Sequence, residues 1–350
     1  MNSRQRVRAA LSGETPDRVP FAFGFFGQSL PGIGDPDSRF GSDVRFAEFD
    51  PPREQAGFLD YLERLPADLY LGNPRQLRTY HEWQYHPEQG RQRPLGHISS
   101  VAELDAALLP DLSHPQRHAG LARQVRRWHE KGLAVAGSPP HLGGQLFETA
   151  WRLRGFETFM EDLLRRPELI HYLVGQLAAV LRQNVAILAK AGVDILLLDD
   201  DVAMPTGLLI SPGTWRSFFK TPLKAAIDAA REQAPELLVF YHSDGNFTQI
   251  IPDLLGIGVN VINPLAPDCM DAAAIRRRFG PRLAFWGTVG RALTWDQGTP
   301  RQIAAEVRRR IADLGPSGLL LTPAYDIDFT PKANLAAFAE AVRNSGRATN

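Results

Sequence analysis

The chain has 350 residues, 44% apolar and 22% charged, with 39 basic against 39 acidic side chains. A zero balance gives no electrostatic reason to expect nucleic acid or an anionic membrane as a partner. The single cysteine, Cys269, excludes an internal disulfide framework and a cysteine-rich zinc module.

The first helix is expected at 2–12, stopped by Gly13, in a charged opening, MNSRQRVRAALSGETPDRVP, that lacks an apolar signal-peptide core. TPDRVP then leads, extended, into the apolar run Phe21–Phe26, read as the first strand. The Gly/Pro-rich QSLPGIGDPDSRFGSD follows, and loops of that length tend to be functional or mobile. Residues 54–65 read as helix, Asp68–Leu71 as a short strand, and the alternating 76–99 segment as a decorating antiparallel hairpin. Beyond Val101 come a short helix (AELDAALLP), a longer one ended by Gly132, and the buried strand LAVAGSP. The segment from Phe156 to Gly192 is amphipathic, with Pro167 restarting a helix as its first residue. Four strand–helix units follow, built on DILLLDDD, LLVFYHSDGN, VNVINPLAP and LAFWGTV. The strand GLLLTPAYDID and the helix KANLAAFAEAVRN close the chain. No stretch of about 18 residues is apolar and uncharged throughout, so no membrane span is expected and the cytoplasm is the expected setting.

Short, near-continuously apolar strands separated by helices predict a parallel sheet covered on both faces. Nearly every strand ends in polar residues: Asp199, Asp200 and Asp201; His242 and Asp244; Asn263; Thr288; Tyr325 and Asp326. In an α/β (β/α)8 TIM barrel such ends ring one mouth, where active sites lie. The expected organisation is one domain over 1–350, with an N-terminal helical and hairpin extension at 1–100 and the barrel body at 101–346. GQSLPGIG after the first apolar run lacks the spacing of a dinucleotide fingerprint, and no P-loop occurs, so neither NAD nor ATP is expected.

In VFYHSDGN, the i, i+2 spacing puts His242 and Asp244 on one face of an extended chain. They read as metal ligands or an acid–base pair; alternatively Asp244 caps the following helix and His242 makes a structural bond. Asp199 and Asp201 share a face, with Asp200 opposite, and adjacent carboxylates call for a cationic partner. His141, after the strand AVAGS, faces the same mouth or packs in the loop. Trp286, Trp151 and Phe147 stack on substrate or pack. Cys269 reads as a helix-start residue or a third ligand. The basic run at 276–279 reads as a solvated face.

RVRAALSGETPDRVP, LRGFETFMEDLLRRPELI, DDDVAMPTGLLISPGTWRSFFKTPLK, YHSDGNFTQIIPDLLGIGVNVINPLAPDCMD and TPAYDIDFTPKANLAAF, in that order, resemble the uroporphyrinogen decarboxylase superfamily. That group has a (β/α)8 fold and includes zinc-dependent methyltransferases acting on corrinoid proteins or thiols. True decarboxylases carry a Met-Arg-Gln-Ala-Gly-Arg-like motif after the first strand. Here FAFGFFGQSLPGIGD has no arginine, and Arg39, Arg45 and Arg53 come only later. The resemblance is therefore closer to the corrinoid methyltransferase-like branch.

That branch holds zinc with His-x-Cys after one strand and a further Cys after the last. His242 matches the histidine, while Asp244 and Tyr325 stand where the cysteines are expected. What the resemblance implies is methyl transfer or demethylation, with His242 and Asp244 holding a zinc-like divalent metal or moving protons. Tyr325 would give a proton or an oxygen ligand, and Asp200 would orient substrate. Asp199, Asp201, His141, Asn263 and Trp286 would line the substrate site. The implied partners are a small-molecule substrate and a corrinoid protein, with a homodimer as the assembly. Decarboxylation of a tetrapyrrole and a ligand-binding barrel without chemistry stand as the alternatives.

Overall fold

The computed structural model describes residues 1–49, 95–107, 115–141, 143–290 and 294–345. The expected helix at 54–65, strand at 68–71 and the bulk of the 76–99 hairpin lie outside them. Seven strands form one parallel sheet: β1 Val44–Ala47, β2 Ala134–Gly137, β3 Ile195–Asp199, β6 Leu238–His242, β7 Val261–Asn263, β8 Ala284–Val289 and β9 Leu319–Pro323. They pair in that order, with helices on the connections, and the sheet curls on itself. β4 Ala203–Met204 and β5 Gly207–Leu208 make a separate antiparallel hairpin just after β3.

The apolar run Phe21–Phe26 is not a regular strand, although Phe21 bridges Leu321 of β9 in parallel. Ala22 N–H bonds Leu321 O at 3.1 Å, and Asp43 N–H bonds Phe21 O at 3.0 Å, so Pro20–Ala22 lies between the two edges of the sheet. The first full strand is instead Val44–Ala47, and the preceding Gly/Pro-rich loop contains a helix, Pro36–Phe40, capped by Asp35.

Alternation along the strands produces two cores. Val44, Ala134, Ala136, Ile195, Leu197, Leu238, Phe240, Val261, Ala284, Trp286 and Leu320 form an inner cluster. The intervening residues, such as Leu196, Val239, Tyr241 and Ile262, join the larger cluster under the helices. Continuing the period of two past Leu197, Phe240 and Val261 carries Asp199, His242 and Asn263 to the inner face at the carboxyl ends. The opposite end is plugged. Helix Ser3–Leu11, with an Asn2/Gln5 capping box, inserts Val7 and Leu11 into the inner cluster. Its Arg6 and the lead-in Arg18 both bond the fully buried Asp43 at 2.8 Å. Arg4 and His129 hold buried Asp194, just before β3, at 2.8 and 2.9 Å. Fixed charge closes one end of the sheet and leaves the other for chemistry.

Helix Pro167–Ala191 begins at Pro167, as the sequence predicts. By length and composition it is apolar enough to cross a membrane, but it packs Leu169, Ile170, Leu173, Val185 and Leu188 into the core beside helix Thr221–Gln233. The amphipathic pattern is that of a core helix.

Candidate active site

His242 is 7% exposed at the end of β6, and its ring stacks on Phe25 at 4.3 Å. Its Nδ1 bonds Oδ1 of Asn263, the neighbouring residue on β7. The Asn263 amide donates Nδ2–H to the Trp286 carbonyl at 2.7 Å, and a carbonyl only accepts. Asn263 must therefore present its oxygen to His242, which fixes the proton on Nδ1 and leaves Nε2 facing the carboxylates. Nε2 lies 3.5 Å from Asp201 Oδ1, 3.7 Å from Asp244 Oδ1 and 4.0 Å from Asp199 Oδ1. One ligand atom from each of Asp199, Asp201 and His242 lies within 4.8 Å of the other two.

The loops carrying these groups are locked to one another. The Asp201 carboxylate accepts the Asp244 N–H at 2.6 Å, and Ser243 Oγ accepts the Val202 N–H at 3.1 Å. Gly245, at φ +77°, passes against the β4–β5 hairpin where an added Cβ would meet Met204 O at 2.5 Å. Only glycine permits both that conformation and that approach.

Asp200 is turned away from His242. Its carboxylate accepts N–H groups from Leu146, Phe147 and Glu148 at 3.3, 2.9 and 2.9 Å, capping helix Phe147–Arg154. Burial pushes it up to about 7 against the pull of those three amides. Asp200 thus docks a helix on the mouth, its carboxylate turned to those amides and not to His242.

That helix brings two residues that sequence reasoning missed. Glu148, 5% exposed, pairs with Arg152 at 2.9 Å, and burial followed by the charge of Asp201 pushes its carboxyl up to about 8. Asp199 is raised well above the ordinary range by burial, then by Asp201 and Glu148. The only signal in the sequence was the i, i+4 Glu–Arg pair in QLFETAWRLR, which any exposed helix also shows.

His141 belongs to the same mouth: burial, then Arg152 and His242, push it down to about 4, and its Nδ1 has no partner. Tyr325 donates to Asp268 Oδ2 at 2.8 Å, and burial followed by that bond raises its pKa. Asp326 lies in the fields of Asp244, His242 and Asp201. Asn263 and Trp286 are 2% and 0% exposed and are committed to support, with Trp286 Nε1 donating to Gly24 O at 3.1 Å. Phe147 packs between Phe159 and Phe219, and Trp151 packs on Phe156. In the basic run, Arg277 and Arg278 are exposed, but Arg276 is not solvated: it bonds Leu283 O and Gly318 O at 2.9 and 2.7 Å.

The zinc site implied by the resemblance does not fit these residues. Neither Asp244 nor Tyr325 supplies sulfur, Tyr325 is engaged with Asp268, and Cys269 sits beside Asp268 on a thiol raised by burial.

Residues 116–345 match the uroporphyrinogen decarboxylase (URO-D) family. The chain belongs to that family. No curated protein matches it in sequence. Among solved structures, a methyltransferase from Methanosarcina mazei superposes with a TM-score of 0.68 at 19% identity, covering 98% of this chain and 99% of that one. A B12-independent methionine synthase from a Shewanella species reaches 0.42 at 14% identity over 64% of this chain and 65% of that one. Xylanase 10B from Thermotoga maritima also reaches 0.42, at 12% identity over 97% and 98%. For this URO-D chain the first of these likenesses establishes the fold.

Proposed function

We propose that this URO-D family chain is an enzyme that removes a methyl group from a small methylated donor, passing it to a corrinoid or completing a demethylation. The observation that carries this reading is the charge of the mouth. Asp199, Asp201, Asp244, Glu148 and Asp326 surround His242, and among the described residues, which leave out Arg53, the guanidinium that reaches them is Arg152. A tetrapyrrole bearing several carboxylates needs convergent arginines, because unpaired like charges in a partly dry pocket are costly. Arg45 instead lies outside the sheet against Trp128, and Arg39 bonds Ile33 O. A small neutral or cationic donor meets no such repulsion. The full-length fold likeness to a methyltransferase supports the same reading.

The chemistry assigned to the residues is modest. As the methyl leaves for an acceptor nucleophile, the electron pair of the broken bond stays on the donor heteroatom, which then needs a proton. Glu148, whose carboxyl is pushed up to about 8 by burial and then by Asp201 and which pairs with Arg152, is the acid we assign to give it. Phe25 and Asn263 hold the His242 ring so that Nε2 faces Asp199 and Asp201. We read Pro20–Ala22 as the eighth strand of a (β/α)8 barrel, on its bonds to both sheet edges. The corrinoid-protein partner, homodimer and cytoplasmic setting belong to this proposal.

The test supplies isotope-labelled methyl ethers, thioethers and amines with a reduced cobalamin acceptor and follows methylcobalamin by absorbance and products by NMR. Methyl transfer from at least one class, with no coproporphyrinogen formed from uroporphyrinogen, is the expected result. Decarboxylation of uroporphyrinogen would contradict it.

A further inference from the structure

The donors that converge on one point of the mouth are not the ones the family pattern selects. We propose that Asp199 and Asp201, from the end of β3, and His242, from β6, bind a hard, oxygen-preferring divalent cation of the Mn2+ class, with Asp244 and Tyr325 outside the ligand set. This holds whatever reaction the enzyme performs.

Three observations carry it. First, Nε2 of His242 stands 3.5 and 4.0 Å from one oxygen of each carboxylate. Ligand atoms on a single ion with bonds of about 2.1 Å sit about 3.0–3.4 Å apart. The three ligand atoms lie within 4.8 Å of one another, so closing the site draws them together by about 0.5–1.5 Å.

Second, His242 is prepared as a ligand. Its other nitrogen donates N–H to Asn263 Oδ1, and Asn263 is anchored on the Trp286 carbonyl. Metal-bound histidines have this outer-shell arrangement, because it fixes ring orientation and leaves the lone pair on the free nitrogen. That nitrogen is more than nine-tenths buried with its side chain and has no carboxylate within good hydrogen-bonding range.

Third, the carboxylates are held in place from behind. Asp199 is latched through its backbone to Gln145, whose N–H bonds Asp199 O at 2.8 Å and whose side-chain oxygen accepts the Asp199 N–H. Asp201 is fixed by the Asp244 N–H. Asp200, between them, is removed from the site by its amide cap, which sets the bite of its two neighbours.

The residues left out have other occupations. The Tyr325 hydroxyl donates to Asp268, and the Asp244 side chain is 70% exposed. Two carboxylates and one imidazole, with no thiolate, give up the soft-donor preference for zinc and suit ions that keep water in their remaining positions.

The experiment titrates purified, chelator-treated protein with Mn2+, Mg2+ and Zn2+ by calorimetry and records the Mn2+ electron paramagnetic spectrum for nitrogen coupling. Asp201→Asn, Asp244→Asn, Tyr325→Phe and Asn263→Ala are compared, with thermal melting as the folding control. The expected result is one Mn2+ per chain, coupled to one imidazole nitrogen. Asp201→Asn should abolish it, and Asn263→Ala should weaken it about 10- to 100-fold. Asp244→Asn and Tyr325→Phe should bind like the parent. Absence of stoichiometric binding at millimolar Mn2+, a bound ion without nitrogen coupling, or loss in Asp244→Asn and Tyr325→Phe would overturn the proposal. The nitrogen coupling in the parent protein decides the matter even if Asp201→Asn does not fold.

Discussion

Asn263 Oδ1 accepts the Nδ1–H of His242 while its own amide N–H2 donates to the Trp286 carbonyl, so an uncharged residue on β7 decides which nitrogen of a β6 imidazole faces the mouth. Truncating it should separate positioning from substrate contact. In Asn263→Ala the ring loses its orienting partner and the Trp286 carbonyl is left buried and unpaired, costing about 1–3 kcal/mol of stability. Turnover should fall with little change in KM, and the NMR tautomer signature of His242 should become mixed. An unchanged tautomer with raised KM would mean that Asn263 touches substrate instead.

Asp200 is expected to behave as a structural cap. Asp200→Asn keeps the shape but replaces one acceptor oxygen with an N–H2 facing three backbone donors. The melting temperature should drop by the equivalent of about 1–3 kcal/mol. KM for substrate should move little, and a large KM effect without destabilisation would restore a substrate-orienting role.

Gly144 supports the same cap from below. A Cβ there would lie 2.5 Å from Asp200 Oδ1 and 2.8 Å from the Asp199 carbonyl. Gly144→Ala should cost about 1–3 kcal/mol as a tight backbone approach is forced open. Chemical denaturation against the parent protein measures this directly.

Stability without added cation should fall as pH rises toward 8. Glu148 and Asp200 have folded-state pKa values raised to about 8 and about 7 from 4.5 and 3.8. The folded chain therefore holds protons that the unfolded chain has released over that window, and each lost proton weakens folding. Glu148→Gln should flatten the upper part of the profile, measured by melting between pH 5 and about 9. A profile that rises through this window would contradict the assignment.

Much of this arrangement was legible in the sequence because strand alternation is local. The period of two that put Asp199 and Asp201 on one face, and His242 at the end of an apolar run, needs no tertiary information. The strand Val44–Ala47 was not legible: four residues, with Arg45 pointing outward to Trp128, carry too little alternation to separate from a loop. The amide cap made by Asp200 was not legible, because a family pattern names a position and not where its carboxylate points. Glu148 is close to Asp201 only because a helix beginning at Phe147 docks its amides on Asp200, a contact across 52 residues or more that leaves no periodic trace.

The most direct test of the central claim, that the group around His242 is where a methyl donor reacts, is single-turnover methyl transfer by His242→Gln and Asp201→Asn beside the parent protein, with folding verified by melting. The account predicts that both variants fold and lose transfer by about 100-fold or more, as expected when a group acting on the reacting atoms is removed. Parent-like turnover in both folded variants would contradict it.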